Sequence, residues 1–232
     1  MWRKFTNYSL AGGCGLVLVS LAASVLSFSP SGGSAPAVSE SPRYYAVFFS
    51  HESESNASRD SHTFATFVKT SGDGEELHVV ESATISWLPA SDTVSIGRAS
   101  EKGVNKTLEQ TVAWAESHGY QIMVDGPFEI RPELYDRAVQ QAAKLNRGEL
   151  KYRAFDRFTR DTAKNCFHAV ADIVEQPKRL QTGTAWGREA TLMVVDHLKP
   201  YFVANPTAGG DLLAELGAAK FAARPAEQIA QR

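Results

Sequence analysis

YYAVFFS at 44–50, HTFATFVK at 62–69 and LHVVESATISWL at 77–88 decide the fold. Each run is rich in aromatic and β-branched residues, which predicts three strands. Ser71-Gly72-Asp73-Gly74 separates the last two closely enough to predict an antiparallel hairpin. Phe64, Ala65, Phe67 and Val68 predict apolar contacts on both faces of the second strand. Polar residues 51–61 have no period and predict a loop.

Helices follow the strands. Thr107 and Gln110 form a capping box at the start of a helix over 107–117, with Leu108, Thr111, Val112 and Ala115 on one face. Residues 120–124 predict a short strand interrupted by Gly126-Pro127. Pro132 suits the first turn of a helix over 132–145, whose apolar face carries Leu134, Ala138 and Leu145, and Gly148 stops it. Residues 149–155 predict another short strand. A helix starts near Asp161 or Asn165 and runs to about Val174; two more cover 186–198 and 211–221, with Pro200 and Pro206 between them. No internal repeat is visible. An early antiparallel sheet followed by helices predicts an α+β domain over 43–222, with 223–232 as a flexible tail.

Composition excludes several classes. The chain has 232 residues, 43% hydrophobic and 22% charged, near globular averages, which argues against wholesale disorder, collagen and a many-span membrane protein. A net charge of −2 gives no broad electrostatic case for nucleic acid. Two cysteines supply neither a disulfide-dense scaffold nor a four-Cys zinc site.

The N-terminus differs from the rest. Arg3 and Lys4 are the only charges in residues 1–37, residues 9–28 carry none, and 15–26 (GLVLVSLAASVL) is the most apolar run. Ala35-Pro36-Ala37 resembles a small-x-small cleavage site. The pattern predicts a secretory signal peptide or a membrane anchor over 1–28, then a Ser/Gly/Pro/Ala linker over 29–42. Either way the basic start stays inside and the domain lies outside the cytoplasmic membrane, periplasmic or anchored facing outward. Cys14 precedes the apolar run, the wrong order for lipidation. Removing 1–37 leaves 22 basic and 26 acidic residues and one cysteine, Cys166.

Asn165-Cys166-Phe167-His168 is the most informative local sequence. Asn is a favoured N-cap, which puts Cys166 in a first helical turn, where the macrodipole favours thiolate. On the residues alone, Cys166 is either that reactive thiol or a small core residue. A nucleophile needs a base in reach. His168 is two positions away and cannot face Cys166 from the same helix. His118 and His197 lie near helix C-termini, His51 is in a polar loop, and His62 opens a strand. His51, Glu52, Glu54 and His62 match no established ligand spacing, so no metal is expected; the absence of a nucleotide fingerprint leaves no cofactor expected. Asn56-Ala57-Ser58 and Asn105-Lys106-Thr107 are sequons.

Asp60-Ser61-His62-Thr63-Phe64 on an early strand, followed much later by Asn165-Cys166-Phe167-His168 at a helix start, resembles the permuted papain-like thiol enzymes. These include NlpC-type peptidases and lecithin:retinol acyltransferase-like proteins; within them the sequence is most similar to the bacterial lipoprotein N-acyltransferase Lnb type and its exported relatives. The resemblance covers about residues 44–173. It implies a permuted papain-like fold, Cys166 as nucleophile, His62 as base and a third polar residue on the following strand. Centring the hairpin near Asp73 puts Thr84 opposite His62; a slip of two brings in Ser86 or Ser82, and His78 and Glu81 are chemically suited but less well registered. The implied activity is that of an exported or anchored cysteine hydrolase or acyltransferase working through a thioester, on an envelope peptide, peptidoglycan or a lipid acyl group. The competing expectation is a non-catalytic envelope protein that keeps the papain-like shell for binding or structure. The sequence leaves the oligomeric state open.

Overall fold

A computed structural model describes residues 41–54, 60–72, 76–95, 99–156, 159, 161–175, 178–183, 185–204, 209 and 211–222. The signal or anchor segment 1–28 with Cys14, most of the linker, the turn at Asp73-Gly74, the Asn56 sequon and the tail 223–232 lie outside them.

Strands β1 (Arg43–Glu52), β2 (His62–Ser71), β3 (His78–Ile85) and β6 (Gln121–Glu129) form an antiparallel sheet in the order β3-β2-β1-β6. The apolar runs at 44–50 and 62–69 become its two central strands, with side chains alternating between faces. Ala46, Phe48, Ala65 and Phe67 face a core shared with α2 (Pro132–Asn146), α3 (Cys166–Ala171) and α4 (Gly187–Leu198). Val47, Phe49 and Phe64 face the opposite core, with Ala115 of α1 (Leu108–Ser117) and Ala218. Burying one such Phe stabilises by about 1.5–3 kcal/mol. The molecule is thus an α+β fold with helices on both sides of an antiparallel sheet.

The third predicted strand divides in two. Asn105 acts as a surrogate strand: its Oδ1 accepts the Ser86 N–H at 2.8 Å and its Nδ2 donates to the Thr84 carbonyl at 2.9 Å. Chain beyond Ser86 leaves the main sheet as β4 (Trp87–Pro89). It pairs with β5 (Glu101–Asn105) and starts a second small sheet completed by β7 (Lys151–Tyr152) and β8 (Ala163–Lys164). Trp87 is fully buried, and its indole N–H donates to the Lys164 carbonyl at 3.1 Å. A Cβ on Gly103 would stand 2.0 Å from the Trp87 ring, so only glycine lets β5 pass. Asn105 belongs to a sequon, yet its amide is part of this junction.

Three other elements depart from expectation. Gly126-Pro127 bends β6 without ending it, through a register shift opposite Ala46 and Phe48. The helix after Asn165 stops at Ala171. The last helix breaks into α5 (Leu212–Glu215) and α6 (Ala219–Ala222) where Gly217 takes φ +67°. Glu215 of α5 accepts the Val79 N–H of edge strand β3 at 2.7 Å. Among the described residues no helix is long and apolar enough to cross a membrane.

Candidate active site

Cys166 opens α3, and a buried ion network holds the turn that presents it. Asn165 caps the helix by accepting the His168 N–H at 2.8 Å. Asp156, 2% exposed, accepts the Asn165 N–H at 2.9 Å and the Asn165 Nδ2 at 3.3 Å. The same carboxylate receives His168 Nδ1 at 2.8 Å and Arg179 Nη2 at 2.9 Å. Arg179 also donates to Asp172 at 2.8 Å, and Asp172 pairs with the buried Lys164. Burial alone would raise the Asp172 carboxyl, but hydrogen bonds from Arg179 and the charge of Lys164 hold it below its ordinary range. His168 Nε2 lies 2.8 Å from the Leu180 carbonyl. Both His168 nitrogens therefore face oxygen acceptors. The residue positions the turn and supplies no base.

On the sheet side, β3 stops pairing with β2 at Ile85 opposite Ala65. This frees the start of β2, and the Thr63 N–H points at the Cys166 sulfur, as do the N–H groups of Phe167 and Cys166 itself. Burial outweighs these donors and, with the negative charge of Asp156 added, pushes the thiol above its ordinary value. The helix start was expected to lower it. Six residues of helix carry too little dipole to offset that burial.

His62 precedes Thr63, and its ring lies on the α1 side of the sheet. It packs 5.1 Å from the His51 ring and 5.3 Å from Phe64, centroid to centroid. Nε2 is 3.0 Å from Ser86 Oγ, which is 2.8 Å from Thr111 Oγ1 on α1. Nδ1 is buried and has no hydrogen-bond partner. Burial, and next the neighbouring His51, drives the His62 pKa well below the ordinary imidazole value; burial first, with a smaller push from His118, takes His51 down to about 3. Both rings are neutral at pH 7.

Cys166 and His62 line one small cleft of about 70 Å³ with Tyr152, Phe155, Phe167 and Trp186. Among the described residues no Asp, Glu, Lys or Arg lines it. Phe155 is 56% and Trp186 39% exposed, which places apolar rings at its mouth. Trp186 is fixed by the start of α4, where the Arg188 N–H donates to Glu52 at 2.6 Å and its guanidinium pairs with Asp125 at 3.0 Å.

The expected third residue is corrected by register. Thr84 stands opposite Thr66 and bonds to its hydroxyl at 3.0 Å, away from His62. The pairing runs four residues on from the one centred on Asp73, and Ser86, just past the end of the ladder, is the hydroxyl that reaches the ring. Ser82 lies opposite Val68, His78 opposite Ser71, and Glu81 takes Lys69 at 3.4 Å and Tyr135 at 3.3 Å. Asp156, Arg179 and Thr111 escaped sequence reasoning, because a lone Asp, a lone Arg and a helix-face Thr give no local signal. Among the described residues no three His, Cys, Asp or Glu side chains converge to hold a metal ion.

No protein-family model, curated protein or solved structure matches the chain.

Proposed function

We propose that the chain is an exported, cysteine-dependent hydrolase or acyltransferase of the permuted papain-like kind. The observation that carries this is the cleft's reactive corner. The Cys166 sulfur accepts the N–H of Thr63, the residue after His62, while His62 is held by Ser86 at Nε2 and keeps Nδ1 unpartnered.

Burial shifts thiol and imidazole apart, the thiol up and the ring down. The resting pair is therefore neutral, and the proton moves during attack. An ester or amide carbonyl enters the cleft and the Cys166 sulfur bonds to its carbon; for His62 to act as base the thiol proton must reach its Nδ1, which has no hydrogen-bond partner in the resting structure. First-turn N–H groups of α3 stabilise the oxyanion. His62 then protonates the leaving group as the carbon–oxygen or carbon–nitrogen bond breaks, leaving a thioester on Cys166. Water or an amine attacks the thioester and restores the thiol. The apolar rings at the mouth, with no charged side chain among the described lining residues, favour a lipid acyl group over a charged envelope peptide or peptidoglycan stem.

The test is incubation with a p-nitrophenyl acyl ester followed by intact-mass analysis. An acyl adduct on Cys166, absent in Cys166→Ala and slowed at least tenfold in His62→Ala, is expected. Equal adduct yield with and without His62 would sink the base assignment, and no adduct on any ester would favour the non-catalytic envelope protein. What speaks for that second reading is that the His62 ring packs on His51 and Phe64, on the face of the sheet away from α3, with Nδ1 buried and unpartnered.

A further inference from the structure

We infer that Thr111, acting through Ser86, sets the tautomer of His62. Thr111 Oγ1 stands 2.7 Å from the Thr107 carbonyl oxygen and 2.8 Å from Ser86 Oγ, but carries one proton. A carbonyl oxygen can only accept, and a helical Thr commonly donates to the carbonyl four residues back. With that proton on Thr107, Ser86 turns its own proton to Thr111. Ser86 Oγ then accepts from His62, so Nε2 carries the ring hydrogen at the 3.0 Å contact.

The opposite direction runs from Thr111 through Ser86 into Nε2. It would put the hydrogen on Nδ1, which is buried without an acceptor. Orphaned buried N–H groups are rarer than under-used acceptors. Direction and burial thus agree on an Nε2–H ring with its lone pair on Nδ1. Thr111 has no place in the cleft's lining, which makes it a positioning residue. That this lone pair takes the Cys166 proton rests on the proposed thiol chemistry; the tautomer itself does not.

Long-range ¹H–¹⁵N correlation on ¹⁵N-histidine-labelled full-length protein above pH 7 reads the tautomer, with His62→Gln identifying the resonances. A pyridine-type Nδ1 and a pyrrole-type Nε2 are expected. Thr111→Val removes the hydroxyl while keeping the shape, so Ser86 turns its proton to Nε2 and the pattern moves towards Nδ1–H. Thr111→Ser restores it. Cys166 alkylation should slow roughly three- to tenfold in the Val variant and recover in the Ser variant. A wild-type ring with hydrogen on Nδ1 overturns the inference without need of any variant, as does an unchanged pattern in folded Thr111→Val. A tautomer change with constant alkylation leaves the inference standing and removes the thiol chemistry.

Discussion

Asp156→Ala tests whether the ion network holds up the Cys166 turn. The carboxylate is 2% exposed and accepts from Asn165, His168 and Arg179. Its loss strands the Arg179 charge on Asp172 alone, removes the partner of His168 Nδ1 and frees the backbone N–H of the N-cap. Breaking a buried ion pair on one side costs about 3–5 kcal/mol. In a protein of this size each kcal/mol moves Tm by about 2–4 °C, so the melting point should fall by roughly 6–20 °C. Urea unfolding followed by tryptophan fluorescence measures the difference at constant m. Pairing the change with Arg179→Met should recover part of the loss, because the stranded charge goes with it. A single-variant loss under about 1 kcal/mol, or a double variant as damaged as the sum of both, would refute the network's role.

Three further outcomes follow from the same geometry. Gly103→Ala forces a Cβ within 2.0 Å of the Trp87 ring and should cost at least about 1–3 kcal/mol by urea titration; a neutral result would mean β5 does not pass Trp87 this closely. His51 and His62 both have folded-state pKa values below the ordinary 6.5, so their contribution is complete above that value and lost as pH falls towards the folded value of about 3 for His51. Two such rings cost roughly 4 kcal/mol at pH 5, read as a lower urea midpoint than at pH 7.5, and an unchanged midpoint would place at least one ring in solvent. Because the Cys166 thiol is raised, its alkylation rate should reach half-maximum above the ordinary thiol range; Ser86→Ala should slow it at fixed pH and Thr84→Ala should leave it alone.

Much of the main sheet was legible because 44–50 and 62–69 are apolar on both faces, which fixes them as interior strands whatever surrounds them. The capping box at Thr107 formed as read, with Thr107 and Gln110 bonded reciprocally. Asn165 also caps as read, since an Asn before a helix start is a local signal. What failed depends on partners distant in sequence. Nothing within 77–88 says that Ser86 ends one sheet; that is decided by the Asn105 side chain arriving from β5. Which hydroxyl reaches His62 is set by where β2 and β3 pair: the ladder runs four residues on from the centring on Asp73, an even shift that keeps each side chain on its face. The choice the sequence left open for Cys166, reactive thiol or small core residue, turns on burial, which outweighs the local helix field and is a property of the folded whole.

Asn105 has a consequence beyond the site. Strand β3 is a sheet edge, the kind of surface on which another chain can add a strand. Asn105 occupies the outward hydrogen-bonding groups at one end of that edge and Glu215 takes the Val79 N–H at the other. The amide that would carry a glycan is thereby committed to masking the ladder. Asn105→Asp would keep an acceptor for Ser86 but expose the Thr84 carbonyl, opening that end of the edge as a template for self-association.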